Sequence, residues 1–157
     1  MVRLMADYQL GNFFTTASAA FFSRGNVTLD RIAYYTTRMH YTNQVEMPTM
    51  SNFNFRAGYR SGKGYAEAIV DIMQTNGGFD ISRNNMPFLS NQMNASRIGL
   101  GFKYNFGKVE GLSAVGSAMY TIAGRNMGQA TAISAGVFYI LDFTKSSNNK
   151  NQSDESK

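Results

Sequence analysis

The feature that most constrains this chain is a strict two-residue alternation of apolar and polar side chains, and residues 97–106 show it most clearly. Ile98, Leu100, Phe102, Tyr104 and Phe106 fall on one side; Arg97, Gly99, Gly101, Lys103 and Asn105 fall on the other. A helix would scatter these residues around its circumference. A strand sorts them completely, because successive side chains point to opposite faces.

The same rhythm recurs along the chain. Phe53, Phe55, Ala57 and Tyr59 oppose Asn54, Arg56, Gly58 and Arg60. Ala66, Ala68, Val70 and Ile72 oppose Tyr65, Glu67, Ile69, Asp71 and Met73. Leu112, Ala114, Ala118, Tyr120 and Ile122 oppose Ser113, Val115, Ser117 and Thr121. Ile133, Ala135, Val137, Tyr139, Leu141 and Phe143 oppose Ser134, Gly136, Phe138, Ile140 and Asp142. At the other end Val2, Leu4, Ala6, Tyr8 and Leu10 oppose Arg3, Asp7 and Gln9. Residues 13–22 are apolar on both sides, and residues 31–41 alternate except at Arg31. Reading all of these as strands predicts about eight antiparallel strands within residues 1–143, an all-β up-and-down barrel.

The predicted connections are Gly11-Asn12, a turn near Arg24-Gly25-Asn26, 43–52, 61–64, 75–96, 107–111 and 124–128. In an eight-strand meander the two longest, 43–52 and 75–96, share one side. The short Ser-Gly-Lys-Gly and Gly-Lys-Val-Glu-Gly turns lie on the other. From Thr144 to Lys157 the chain is Ser/Asn/Lys-rich and lacks any apolar side chain. Such a segment cannot bury enough surface to fold and is predicted to be a disordered polar tail.

Alternation does not say which face points inward: a soluble lipocalin-like barrel encloses its apolar face, a membrane barrel exposes it. Three observations favour the membrane arrangement. Charged residues make up only 16% of the chain, against roughly 25% in ordinary soluble domains, and the polar face is rich in Gly, Ser, Thr and Asn. Tyr59, Tyr104, Tyr120 and Tyr139 sit near strand ends on the apolar face, with Phe143 at the close of the last strand. An aromatic ring with a polar tip suits a membrane–water boundary, so these five are the candidate aromatic girdle. The strands are also about ten residues long, the length a tilted strand needs to cross hydrocarbon. The alternative is a soluble barrel binding an apolar ligand.

In this respect the chain resembles the outer-membrane β-barrel proteins of Gram-negative bacteria. Their last strand alternates apolar residues and ends on an aromatic, as Val137, Tyr139, Leu141 and Phe143 do here, and the family's assembly machinery reads that signal. Members usually stop at the aromatic, whereas this chain continues to Lys157. The resemblance covers residues 2–143 as a pattern. It implies a cell-outer-membrane location, contact with the lipid bilayer and the assembly machinery, and a porin-like, non-enzymatic role in transport, adhesion or scaffolding. The first predicted strand opens at Val2 with no export signal before it, which suggests the C-terminal part of a larger barrel.

Other chemistries find little footing. There is no Cys and a single His among the 157 residues, so neither thiolate chemistry nor a transition-metal site is expected. His40, beside Arg38, has no nucleophile motif near it. The formal net charge is +5, but the basic residues are scattered, which does not suit nucleic acid. No catalytic residue, metal or cofactor is expected. The remaining constellation is charged: Arg56, Arg60, Glu67 and Asp71 share the polar face of two strands joined by the 61–64 turn. Turn arithmetic places Arg56 diagonal to both carboxylates and Arg60 diagonal to Glu67, within cross-strand reach. Arg38, Arg97 and Lys103 are expected on the same lumenal wall. Segment 75–96, with Met86, Pro87, Phe88, Leu89 and Met93, is long enough to serve as a plug, a lid or a partner surface.

Overall fold

The computed structural model describes residues 1–36, 38–81 and 89–141. They form an all-β structure with no helix, and hence no helix long and apolar enough to cross a membrane, among the described residues. Seven strands build one antiparallel sheet: β1 (Val2–Leu10), β2 (Phe13–Phe22), β7 (Thr49–Ser61), β8 (Gly64–Asn76), β9 (Asn94–Asn105), β10 (Leu112–Arg125) and β11 (Thr131–Tyr139), in that spatial order. Four two-residue strands occupy the connection between β2 and β7. β3 (Val27–Thr28) pairs with β6 (Gln44–Val45) and β4 (Tyr34–Tyr35) with β5 (Met39–His40).

Two expectations are corrected here. The 31–41 segment is not a strand of the sheet. It mixes charged and apolar groups on both of its sides, so neither side matches a sheet that sorts them, and it folds back on itself as the β4–β5 hairpin. The sheet is also open, since β1 and β11 are its two ends and each pairs on one side only. What remains is the antiparallel meander.

Removing one predicted crossing changes the parity of the connections and sharpens their asymmetry. Gly11-Asn12, Gly62-Lys63 and residues 106–111 join strands at one end of the sheet. Residues 23–48, 77–93 and 126–130 join them at the other. The central strands β7 to β10 run 12 to 14 residues, against 9 or 10 for β1, β2 and β11. At about 3.3 Å per residue the extra length makes the middle strands roughly 10 Å longer than those at the sides. A bulge between Thr121 and Ala123 lies just past Tyr120↔Thr131, where β10 runs beyond the start of β11.

The registers carry one face through all seven strands. Leu10, Phe13, Tyr59, Ala66, Phe102, Gly116 and Ala135 lie on one continuous rung. This apolar face is the exposed one: Leu100 is 67% exposed, Ile133 80% and Val137 77%. The opposite, polar face holds the buried groups, with Glu67 at 9% and Asp71 at 7%, beside Ile69, Ser113 and Thr121. Burial is therefore inverted relative to an ordinary soluble sheet.

Close packing on these faces depends on glycine, as Gly101 and Gly64 show. A Cβ on Gly101 would stand 2.9 Å from Glu67 Oε1, so glycine there lets the Glu67 side chain lie across β9. At Gly64 the backbone has φ +136°, and a Cβ would stand 1.9 Å from the Lys103 carbonyl oxygen. Gly11, with φ +58°, faces open space and opens a two-residue hairpin turn that requires a positive φ at its first position. Replacing Gly64 by Ala is accordingly expected to cost about 2–3 kcal/mol, and Gly11 by Ala only about 1 kcal/mol. Denaturant unfolding followed by circular dichroism checks this, and equal costs at the two sites would contradict the close approach at Gly64.

Candidate functional site

The polar face is built by β7, β8 and β9, whose alternation sends Asn52, Asn54 and Arg56, then Glu67 and Asp71, then Arg97, to the same side. Asp71 and Arg97 are direct cross-strand partners. Arg97 donates to Asp71 Oδ2 from Nε at 3.1 Å and from Nη2 at 2.5 Å. The other carboxylate oxygen, Oδ1, accepts from Asn52 Nδ2 at 3.1 Å and Asn54 Nδ2 at 3.2 Å. Asn54 Oδ1 in turn accepts from Arg56 Nε at 2.9 Å, and Arg56 Nη1 reaches Glu67 Oε1 at 3.3 Å. The result is one chain of contacts, Arg97–Asp71–Asn54–Arg56–Glu67, spanning three strands.

This arrangement differs from turn arithmetic alone. Arg56 does pair with Glu67, but Asp71 takes its cation from β9. Arg60 lies over the Phe14 ring, 5.1 Å from its centre, and Lys103 over Phe138 at 5.4 Å. Among the described residues neither Arg60 nor Lys103 has a carboxylate partner, and both sit toward the short-turn end. Asn52 and Asn54 are members that the charge pattern did not single out. The signal for Asn54 was present in the alternation, since it falls on the polar side one step before Arg56.

Arg38 stands elsewhere, which corrects its placement on the wall. It follows the β4–β5 turn and, with Tyr34, His40, Glu46, Asn76 and Phe79, lines a cleft of about 520 Å³ at the long-loop end. His40 stacks on Tyr34 at 4.7 Å with the rings 7° apart, and its Nε2 lies 3.0 Å from Thr36 Oγ1. Below the hairpin, Val45 is fully buried, Gln44 Nε2 donates to Thr28 Oγ1 at 2.8 Å, and Arg24 Nε donates to the Pro48 carbonyl at 2.7 Å. The longest loop is thus internally tied.

The 75–96 segment is likewise pinned where it is described. Phe79 bridges to Asn91, and Gln92 N donates to the Phe79 carbonyl at 2.9 Å. Arg125 grips Asp80 with bonds of 2.7 and 2.6 Å, while Asn126 Nδ2 donates to Asp80 at 2.9 Å and to the Gln92 carbonyl at 2.7 Å. Met86, Pro87 and Phe88 lie outside the described residues.

The candidate girdle divides between the two ends. Tyr59, Tyr104 and Tyr139 stand on the apolar face toward the short turns, Tyr120 toward the long loops. Tyr59 packs edge-on against Phe13 at 5.3 Å and accepts from Asn12 Nδ2 at 2.9 Å. Tyr120 accepts from Gln129. Phe143 and the predicted tail, 144–157, lie outside the described residues.

No group of three or more His, Asp or Glu side chains placed to hold a metal occurs among the described residues. With both network carboxylates engaged, the polar face offers ion pairing and hydrogen bonding to a solute through its cations. No family model, curated protein or solved structure matches the chain.

Two predictions follow from this geometry. Arg97→Met strands a buried carboxylate on two amides. The expected cost is roughly 2–3 kcal/mol, below that of a fully buried pair because Arg97 is partly exposed. Adding Asp71→Asn to Arg97→Met should recover most of the loss in a denaturant titration. Additive costs would show two independent, solvated side chains.

At the loop clamp, hydrogen bonds from Arg125 and then Asn126 hold the Asp80 carboxyl down to about 2. The contribution of a depressed carboxyl is complete above the ordinary carboxylate range and is lost as pH falls through its folded value. Proteolysis of the 77–93 connection should therefore be unchanged from pH 8 to about pH 4 and rise only in stronger acid, with a pH-stable enzyme as probe for the upper range and pepsin for the lower. In Arg125→Gln, cleavage should already be fast at neutral pH.

Proposed function

We propose that this chain forms part of the wall of an outer-membrane β-barrel with a non-enzymatic transport role. Its apolar face lies against lipid, and its polar face lines a hydrophilic lumen that favours small anionic solutes. The observation that carries the reading is the inverted burial. Leu100, Ile133 and Val137 stand exposed while Glu67 and Asp71 are enclosed, as expected of a wall that meets hydrocarbon outside and polar groups inside. A soluble barrel built around an apolar ligand needs the reverse, which counts against that alternative.

Supporting features agree. The two longest connections, 23–48 and 77–93, lie at one end and the two-residue turns at the other, the pattern of extracellular loops and periplasmic turns, and tyrosines stand toward both ends of the apolar face. The anionic preference rests on the polar face, where Arg3, Arg56, Arg60, Arg97 and Lys103 outnumber Asp7, Glu67 and Asp71. All three carboxylates already have partners within the sheet, whereas among the described residues Arg60 and Lys103 are held on aromatic faces without a carboxylate. A surface-binding role at the long-loop end has its own support in the exposure of Ile32 (93%) and Tyr41 (88%).

Arginine at Leu100, in the middle of β9, should cost about 2–4 kcal/mol of membrane stability. Arginine at Gly107, in an open short turn, should cost under about 0.5 kcal/mol. The measurement is retention of each variant in membranes under alkaline carbonate and graded urea. Equal retention of the two variants would remove the lipid-facing assignment. Full release of the unmodified chain by carbonate would remove the barrel reading altogether.

A further inference from the structure

The two ends of the sheet carry an inference that rests on the barrel-wall reading and goes beyond it. Every neighbouring pair in the order β1-β2-β7-β8-β9-β10-β11 is antiparallel. Six reversals bring the chain back to its starting direction, so β1 and β11 run the same way. Joining them directly would create a parallel seam in an otherwise antiparallel sheet.

A second copy does not solve this. Copies related by an axis along the membrane normal keep their strand directions, so β11 of one would meet β1 of the next in parallel. Antiparallel β1–β1 contact with the polar faces kept on one side requires the second copy to be upside down. That would put its long loops on the opposite side of the membrane.

Both edges nevertheless present full rows of backbone donors and acceptors. β1 and β11 are nine residues each and exposed at every position. Neither contains proline, and β11 has no charged residue on either face. Natural open edges are usually blunted by such features, and in hydrocarbon an unpaired edge is not tolerated. These are edges built to be continued.

We infer that the sheet is completed by an odd number of further antiparallel strands, supplied by polypeptide other than residues 1–157, with those that join β1 and β11 running opposite to them. Their chemistry is set by what they join. They alternate with apolar residues continuing the outward row of Ala6, Tyr8, Ile133 and Val137, and small or polar residues continuing the inward row of Asp7, Ser134 and Gly136. The sequence beyond Phe143 has no apolar residue and cannot provide such a strand.

The chain has no native cysteine, so introduced thiols report cleanly. Ala6→Cys is combined in turn with Ile133→Cys, Ala135→Cys, Val137→Cys and Tyr139→Cys, and each pair is oxidised in the outer membrane of the cells that make the protein. Directly paired strands hold outward Cβ atoms about 5 Å apart, within reach of a disulfide; one interposed strand separates them by roughly 10 Å, beyond it. Ala6→Cys alone tests contact between copies. Hydrogen exchange on the unmodified membrane-derived protein, in mild detergent, reads whether the edges are paired.

The expected result is no disulfide within or between chains, together with β1 and β11 amides as protected as those of β8. A disulfide in any double variant establishes the parallel seam, and a dimer of Ala6→Cys establishes pairing of copies. Either overturns the inference and leaves the barrel wall standing. Fast exchange of β1 and β11 in a chain that resists carbonate extraction overturns the inference by showing open edges. Release by carbonate overturns the barrel reading itself, and the inference with it.

Discussion

Asp71 sets the tightest constraint in this sheet. Its carboxylate sits on the enclosed face and accepts from two asparagines of β7 and from Arg97 of β9. A carboxylate without those donors would be costly to bury, by several kcal/mol. The bonds therefore fix three strands at once: β7 must present Asn52 and Asn54 inward, and β9 must present Arg97 opposite Asp71. Strand periodicity then leaves no freedom over the other side chains. Phe53, Phe55, Val70, Ile98 and Leu100 are sent outward by the same register that completes the polar network, and a one-residue slip of β9 would reverse both assignments.

The energetics of such a sheet differ from those of a soluble one. Among the described residues the buried apolar side chains are only Ala20, Val45, Ile69 and Ala95, too little for burial at about 25 cal/mol per Å² to carry the fold. Cohesion falls instead on the backbone ladder and on the polar face. Glycine at 101 admits Glu67, and the 2.8 Å contact between Ser117 and Ser134 ties β10 to β11 on the same side. In lipid the outward apolar rows lose nothing by their exposure, since the surroundings are as apolar as they are. The proposed setting thus turns the largest apparent deficit of the fold into its lowest-energy arrangement.

Much of this was legible in the sequence, for a physical reason: period-two sorting survives wherever one face is uniform. It located all seven sheet strands and, except for β2, where residues 13–22 are apolar on both sides, their faces. It failed at 31–41 because Arg31 and the mixed residues after it are sorted on neither side, and counting that segment as a crossing displaced the assignment of several turns. The site was legible in part. Arg56 and Glu67 are joined by a tight turn, so their relation follows from counting. Asp71 and Arg97 are joined through the long 77–93 connection, which fixes no register, and their pairing appears only in three dimensions. Asn54 was visible on the correct face, but an amide signals nothing until both of its ends are seen to bond charged partners.

Completion by an odd number of strands bears directly on what the polar face can do. One added strand gives an eight-stranded barrel, whose interior is just wide enough to be filled by side chains. Phe14, Tyr65, Phe138, Met119 and the arginines on the inward face would occupy it, leaving the long-loop end as the working surface. About nine added strands give roughly sixteen, the size that leaves an aqueous channel. The side chains of Arg56 and Arg97 are 44% and 41% exposed although both are ion-paired, and among the described residues Arg60 and Lys103 have no carboxylate to neutralise them. Packed into a filled interior, those two cations would need partners the sheet does not supply. Facing water and mobile anions they would need none, so under the proposed barrel reading the charge pattern of this sheet favours the wider barrel over the filled one.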